Sequence, residues 1–185
     1  VSKSNFGIGQ KVDEFTDLSF LKKEHFDAFL AAHPNTRLFI ETGRYTVGKS
    51  GVYVTKVIDK KISCGVNYAI LKNTFNGFLR PSIEVMVGKY NENPIAIEPM
   101  FTCKDAFQII PLKETDAPLE KVTLVGNLCT AADVIAENIE LPRLDANDVL
   151  VITNAGAYAA VVTPMQFSLH TKPAELFLRT DGTII

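Results

Sequence analysis

A chain of 185 residues, 46% hydrophobic and 22% charged, has the make-up of an ordinary folded domain, with length for one well-cored unit carrying a piece of another. Its net charge of −2 comes with no Lys/Arg cluster of the kind that tracks a phosphate backbone, which argues against a nucleic-acid partner. Apolar runs such as Ala159 to Val162 fall far short of the ~20 residues that span a bilayer, so no membrane partner is expected.

Residues 17–32 place Leu18, Leu21, Phe26, Phe29 and Leu30 among Lys22, Lys23, Glu24 and Asp27, a stripe that predicts one amphipathic helix. His33-Pro34-Asn35 stops it, because proline disfavours helical geometry at the residue before it. Residues 37–41 then read as a short buried strand, and helix, stop and strand make an α/β unit. Beyond Gly43 the character changes. Residues 52–58 and 61–70 are rich in β-branched side chains and separated by Asp59-Lys60, which predicts paired strands. Further strands are predicted at 83–87, 95–98, 106–110, 122–125, 149–154 and 175–179, between Gly, Pro and Asn/Asp punctuation. Residues 129–138 are the one late segment that reads as a short helix. The chain thus divides into an α/β part, 1–45, and a β domain, 46–185.

Cys64, Cys103 and Cys129 are odd in number, without paired spacing, and the start lacks a secretory pattern; a reducing cytoplasm is expected. The chain opens on Val1, so the first residues are expected to be a cut inside a longer protein. His25, His33 and His170 are too scattered for a metal site, and none is expected.

Three short strings carry candidate chemistry. In Glu41-Thr42-Gly43-Arg44 a carboxylate at a strand end meets a Gly-Arg turn whose backbone N–H groups can approach an anionic ligand; a capped strand end with a surface ion pair is the plainer alternative. In 126–133, Cys129 between a strand and a helix start would lie in a field that favours a thiolate, suiting a proton donor, or it is a small buried hydrophobe, with Asp133 a turn residue. In 153–158, a small-residue turn ends in Tyr158, whose hydroxyl can donate to phosphate or be satisfied in the core.

ETGRY at 41–45, LRP at 79–81, GNLCTAAD at 126–133 and LPRLDANDVLVITNAGAYAAVVTPMQF at 141–167, in this order and at these separations, resemble the fold-type III pyridoxal-phosphate-dependent decarboxylases, the family of diaminopimelate, ornithine and arginine decarboxylases. The resemblance runs from Leu38 to Leu178. It implies a mainly β fold: the C-terminal β-barrel domain of that family, preceded by a remnant α/β segment of a (β/α)8 barrel in residues 1–45. Such a barrel needs about 250 residues, and no segment resembles the family's cofactor-bearing lysine, so the chain alone is expected to be inactive.

Carried over position by position, the resemblance puts Glu41 opposite the pyridine nitrogen of pyridoxal 5'-phosphate, where a carboxylate keeps the ring protonated and able to accept electrons. It puts Gly43, Arg44 and Tyr158 at the cofactor phosphate. Cys129 matches a cysteine contributed by a partner subunit, a candidate donor for reprotonation, which implies a homodimer. Arg80 matches an arginine that grips a substrate carboxylate in the diaminopimelate branch. Thr130 stands where that branch has Glu and the ornithine branch Asp, at the contact to the distal amine. Asn127 replaces a common Pro, Asn147 a common Gly and Ser168 a common Asn. The implied reaction is α-decarboxylation of a small amino acid, diaminopimelate first, or a carboxylated or carrier-linked relative. The rival is a non-catalytic β domain for dimerisation or partner binding. An alanine-racemase-like enzyme shares the layout, but GNLCTAAD favours the decarboxylases.

Overall fold

A computed structural model of the chain describes residues 23–35, 37, 43–90 and 107–185. Helix α1 (Lys23–Ala32) ends where proline predicts, and His33 caps it by hydrogen bonding through Nδ1 to the carbonyl of Phe29 at 3.0 Å. Short helix α2 (Gly43–Val47) and a 3-10 turn lead into strands β1 (Tyr53–Ser63) and β2 (Val66–Leu71). Helix α3 (Arg80–Tyr90), strands β3 (Ile109–Pro111), β4 (Leu119–Val125), β5 (Val134–Pro142) and β6 (Val149–Ile152), and the single turn α4 (Ala159–Val162) follow. The strands form one nearly closed, barrel-like sheet in the order β3-β6-β1-β2-β4-β5, all pairs antiparallel except β2 with β4. The chain is mainly β, as the sequence implies.

Alternation builds the interior. Thr55 and Val57 of β1, Ala69 and Leu71 of β2, and Leu150 and Ile152 of β6 point inward, while Val54 and Ile58 face out. Leu124, Leu144 and Phe78 complete a core in which Phe78 meets Phe107 edge to face, ring centroids 5.3 Å apart.

Four elements differ from expectation. Strand β1 runs straight through Asp59-Lys60 after a bulge beyond Val57, because Lys60 hydrogen bonds the Leu144 carbonyl and pairs with Glu120 at 3.5 Å instead of turning to solvent. The hairpin turns at Cys64-Gly65, with φ of 50° and 78°, both left-handed as a two-residue turn of this hand requires. Residues 83–87 are helical, not extended. Their β-branched alternation mimics a strand, but Pro81 in the first turn favours a helix start, and α3 packs on β5. Residues 129–133 form a turn and 134–138 belong to β5, so the helix expected over 129–138 is absent. Near the end, 175–179 contribute only a bridge, Leu178 to Ile184. The expected strands at 38–41 and 95–98, the first residues of the expected helix, and Cys103 lie outside the described residues.

The β5–β6 connection explains one departure from the family pattern. Asn147 has φ 75°, a left-handed conformation that Asn tolerates better than other non-Gly residues. Beside it, Asp148 is closed in. Burial works to raise its pKa, but hydrogen bonds from Lys113 Nζ and the Asp145 N–H, with the charges of Lys113 and Lys60, outweigh burial and hold the carboxyl below its usual value. A carboxyl depressed on folding stabilises above its unfolded pKa and loses that contribution as pH falls through the lower folded value. The gap in urea midpoint between wild type and Asp148→Asn is therefore expected to be full at neutral pH and to shrink through the acid carboxylate range.

Candidate active site

Strings far apart in sequence converge on Tyr158. It holds a left-handed conformation, φ 62°, ahead of α4, and is 46% exposed. The Arg44 guanidinium lies over its ring at 4.8 Å and that of Arg80 at 5.6 Å, so one phenol ring meets two cations. A Cβ added at Gly43 would come to 3.9 Å from the Tyr158 hydroxyl, so the bare glycine leaves open room beside it. The convergence is built by the backbone: Gly156 N–H donates to the Gly48 carbonyl at 3.0 Å and Ala155 N–H to the Gly51 carbonyl at 2.9 Å. A Cβ at Gly156 would overlap the Val47 carbonyl oxygen, so only glycine lets the 153–157 turn lie on the segment after α2.

Arg80 is 6% exposed at the start of α3, below a loop of Asn73, Thr74, Phe75 and Asn76. That loop is fastened at both ends. Leu79 N–H donates to Thr163 Oγ1 at 3.1 Å, on the α4 side, and Phe75 N–H donates to Asp133 Oδ1 at 3.0 Å, on the side of the Cys129 turn. Cys129 is an exposed free thiol in that turn, and Thr130, half-buried, accepts from Ala132 N–H at 3.3 Å and, through its carbonyl, from Asp133 N–H at 3.2 Å. With no helix after Cys129, the helix-end field expected from sequence is absent. Glu41 lies outside the described residues. The structure thus gathers Gly43, Arg44, Arg80 and Tyr158, and holds Cys129 and Thr130 on a second turn linked to them through the 73–80 loop.

Asp133 is more than a turn residue. It is 3% exposed and accepts from the Thr74 hydroxyl, Phe75 N–H and, at 3.1 Å, Leu128 N–H. Burial, and then the charge of Asp133, push the Tyr53 phenol well above its usual pKa, and Tyr53 donates to the Asn73 carbonyl. This network went unread in the sequence, although Lys72-Asn73-Thr74-Phe75-Asn76-Gly77 after a strand carried the turn signal that marks it. Among the described residues no group of His, Cys, Asp and Glu would hold a metal ion, and no helix is long and apolar enough to cross a membrane.

Residues 29–156 match the family model described as "Pyridoxal-dependent decarboxylase, C-terminal sheet domain". The chain belongs to this family. Similar curated proteins include L-glutamyl-(BtrI acyl-carrier protein) decarboxylase of Niallia circulans, 30% identical over 80% of this chain and 32% of that protein. Diaminopimelate decarboxylase of Methanothermobacter thermautotrophicus is 31% identical over 91% of this chain and 34% of that protein. Among solved structures, diaminopimelate decarboxylase from Helicobacter pylori complexed with L-lysine is 26% identical with a TM-score of 0.55, covering 77% of this chain and 29% of that one. The enzyme of M. jannaschii in complex with L-lysine, 23% identical with a TM-score of 0.59, shares the fold over 77% of this chain and 28% of its own. The chain spans about a third of the length of the curated relatives it matches. The family decarboxylase domain, implied by four strings, is thereby established.

Proposed function

We propose that the chain works as the C-terminal sheet part of a pyridoxal-phosphate-dependent amino-acid α-decarboxylase, a carboxy-lyase whose remaining two thirds or so would include the (β/α)8 barrel, with residues 1–45 its last part and 46–185 the sheet domain. The observation that carries this reading is the convergence of Gly43, Arg44 and Arg80 on Tyr158. The Arg44 guanidinium, a phenol hydroxyl and an open glycine backbone are a donor set suited to an anionic phosphate, so these residues fit the cofactor, with the Arg80 guanidinium beside them for a carboxylate. When bound, pyridoxal phosphate supplies the electron sink for cleavage of the bond to the departing carboxylate. Tyr158 would donate its hydroxyl to the phosphate, and Arg44, 4.8 Å over the Tyr158 ring, would hold that hydroxyl in place while adding charge. By the family resemblance, Glu41 would face the pyridine nitrogen and keep it protonated. Cys129, exposed on its turn, donates a proton to the substrate carbon in a partner's site.

Arg80 grips a second substrate carboxylate, and Thr130 offers a neutral hydroxyl where an acidic side chain would bind an amine. That pairing favours diaminopimelate only weakly over an amino acid with a carboxylated or carrier-linked far end. The exposed apolar side chains of Val161, Leu169, Leu176 and Phe177 offer surface for a second copy of the protein, and the free thiols of Cys64 and Cys129 suit a reducing cytoplasm. In the whole protein, the absorbance band of bound cofactor and release of carbon dioxide from a panel of meso-diaminopimelate, glutamate and carrier-linked glutamate are expected, with the band weakened in Arg44→Ala and Tyr158→Phe. Absence of both the band and carbon dioxide release would sink the reading.

A further inference from the structure

We infer that Asp133 is a positioning residue, whose buried carboxylate locks the turn bearing Cys129 and Thr130 to the loop that ends in Arg80. Its catalytic consequence rests on the decarboxylase reading; the lock itself rests on geometry alone. Two segments more than fifty residues apart in sequence donate to this one side chain: Thr74 and Phe75 to Oδ1, and Leu128, the neighbour of Cys129, to Oδ2 at 3.1 Å. The turn is closed around the same residue, since Asp133 N–H donates to the Thr130 carbonyl at 3.2 Å and Gly126 N–H to the Asp133 carbonyl at 2.9 Å.

The chemistry of the side chain is restricted. All three partners are donors, so both oxygens must be acceptors; an amide would set its own N–H against one of them. A longer carboxylate has no room, because even a Cβ on Gly126 would overlap Thr74 Oγ1 and both Asp133 oxygens. On the far side, Thr74 and Phe75 lead directly into Asn76 and Phe78, both fully buried, and on to Arg80. The Asp133 carboxylate thus carries three of the hydrogen bonds that tie the Cys129 turn to the loop leading to Arg80, and Asn73 N–H to Asn127 Oδ1 at 3.3 Å adds a further link.

Thr74→Val in the whole protein removes the hydroxyl donor while keeping the shape, and Thr74→Ser restores it. The readouts are the rate of Cys129 alkylation by iodoacetamide relative to Cys64, followed by peptide mass, and the separate kcat and KM for decarboxylation. Cys64, exposed on the distant β1–β2 turn, is the internal reference. Thr74→Val is expected to raise the Cys129 to Cys64 ratio about fivefold, the shift that loss of one buried hydrogen bond permits. It should lower kcat roughly tenfold with KM little changed, and Thr74→Ser should return both to wild type. A fall in thermal midpoint with the alkylation ratio and kcat unmoved would overturn the lock and leave Asp133 a purely structural residue. If wild type releases no carbon dioxide from any substrate tested, the decarboxylase reading fails, while the alkylation ratio still decides the lock.

Discussion

Gly156→Ala is expected to lower the stability of the protein by about 3 kcal/mol and to abolish cofactor retention together with it. The added methyl would overlap the Val47 carbonyl oxygen and come to 2.9 Å from the Gly51 nitrogen. Both are backbone atoms, which cannot swing aside as a side-chain tip does. Relief requires the 153–157 turn to lift, and that breaks the hydrogen bonds from Gly156 to Gly48 and from Ala155 to Gly51. Tyr158 rides on the same turn, so its ring would leave the Arg44 guanidinium. Urea denaturation followed by circular dichroism measures the first effect, and the absorbance of bound cofactor after gel filtration measures the second. Ala155→Gly, on the same turn, is the control for altered backbone freedom, and should leave Tyr158 in place. Full stability and full cofactor occupancy in Gly156→Ala would show that the turn does not set the Tyr158 position.

Cys129→Ala is expected to lower kcat by roughly 10²- to 10⁴-fold, the range for removal of a positioned proton donor, with KM and stability close to wild type. Cys129 is exposed, so its removal costs little packing. Steady-state decarboxylation and a thermal melt of the same preparations separate the two effects. Cys129→Ser should recover part of the rate, because a hydroxyl donates in the same place with a weaker acid. If the cysteine serves a partner's site, mixing Cys129→Ala with Arg44→Ala subunits and allowing exchange should restore activity that neither variant has alone. Equal rates for Cys129→Ala and wild type would remove this residue from the reaction.

Family membership and a mainly β fold were legible from the chain because they rest on local chemistry. Strands β4 and β6 declare themselves by β-branched composition, the stop after α1 by Pro34, and the decarboxylase resemblance by short strings whose Gly, Cys and Tyr residues are tied to backbone geometry. Asn147 was legible as a departure from Gly, and its φ of 75° supplies the reason that Asn serves there.

Other features depended on partners remote in sequence. Asp59-Lys60 looks like a turn until the Leu144 carbonyl and Glu120 are brought to Lys60, which lets β1 run on to Ser63. The alternation of Ile83, Val85 and Val87 looks like a strand until α3 is laid on β5. Asp133 reads as a turn residue until Thr74 and Phe75 arrive from 59 and 58 residues away. The chain by itself determined which residues could bind an anion or move a proton, since that follows from side-chain chemistry. Only the tertiary structure decided which of them meet: burial forces each polar group to find a partner, and the partners of Tyr158 and Asp133 come from segments that local sequence cannot bring together.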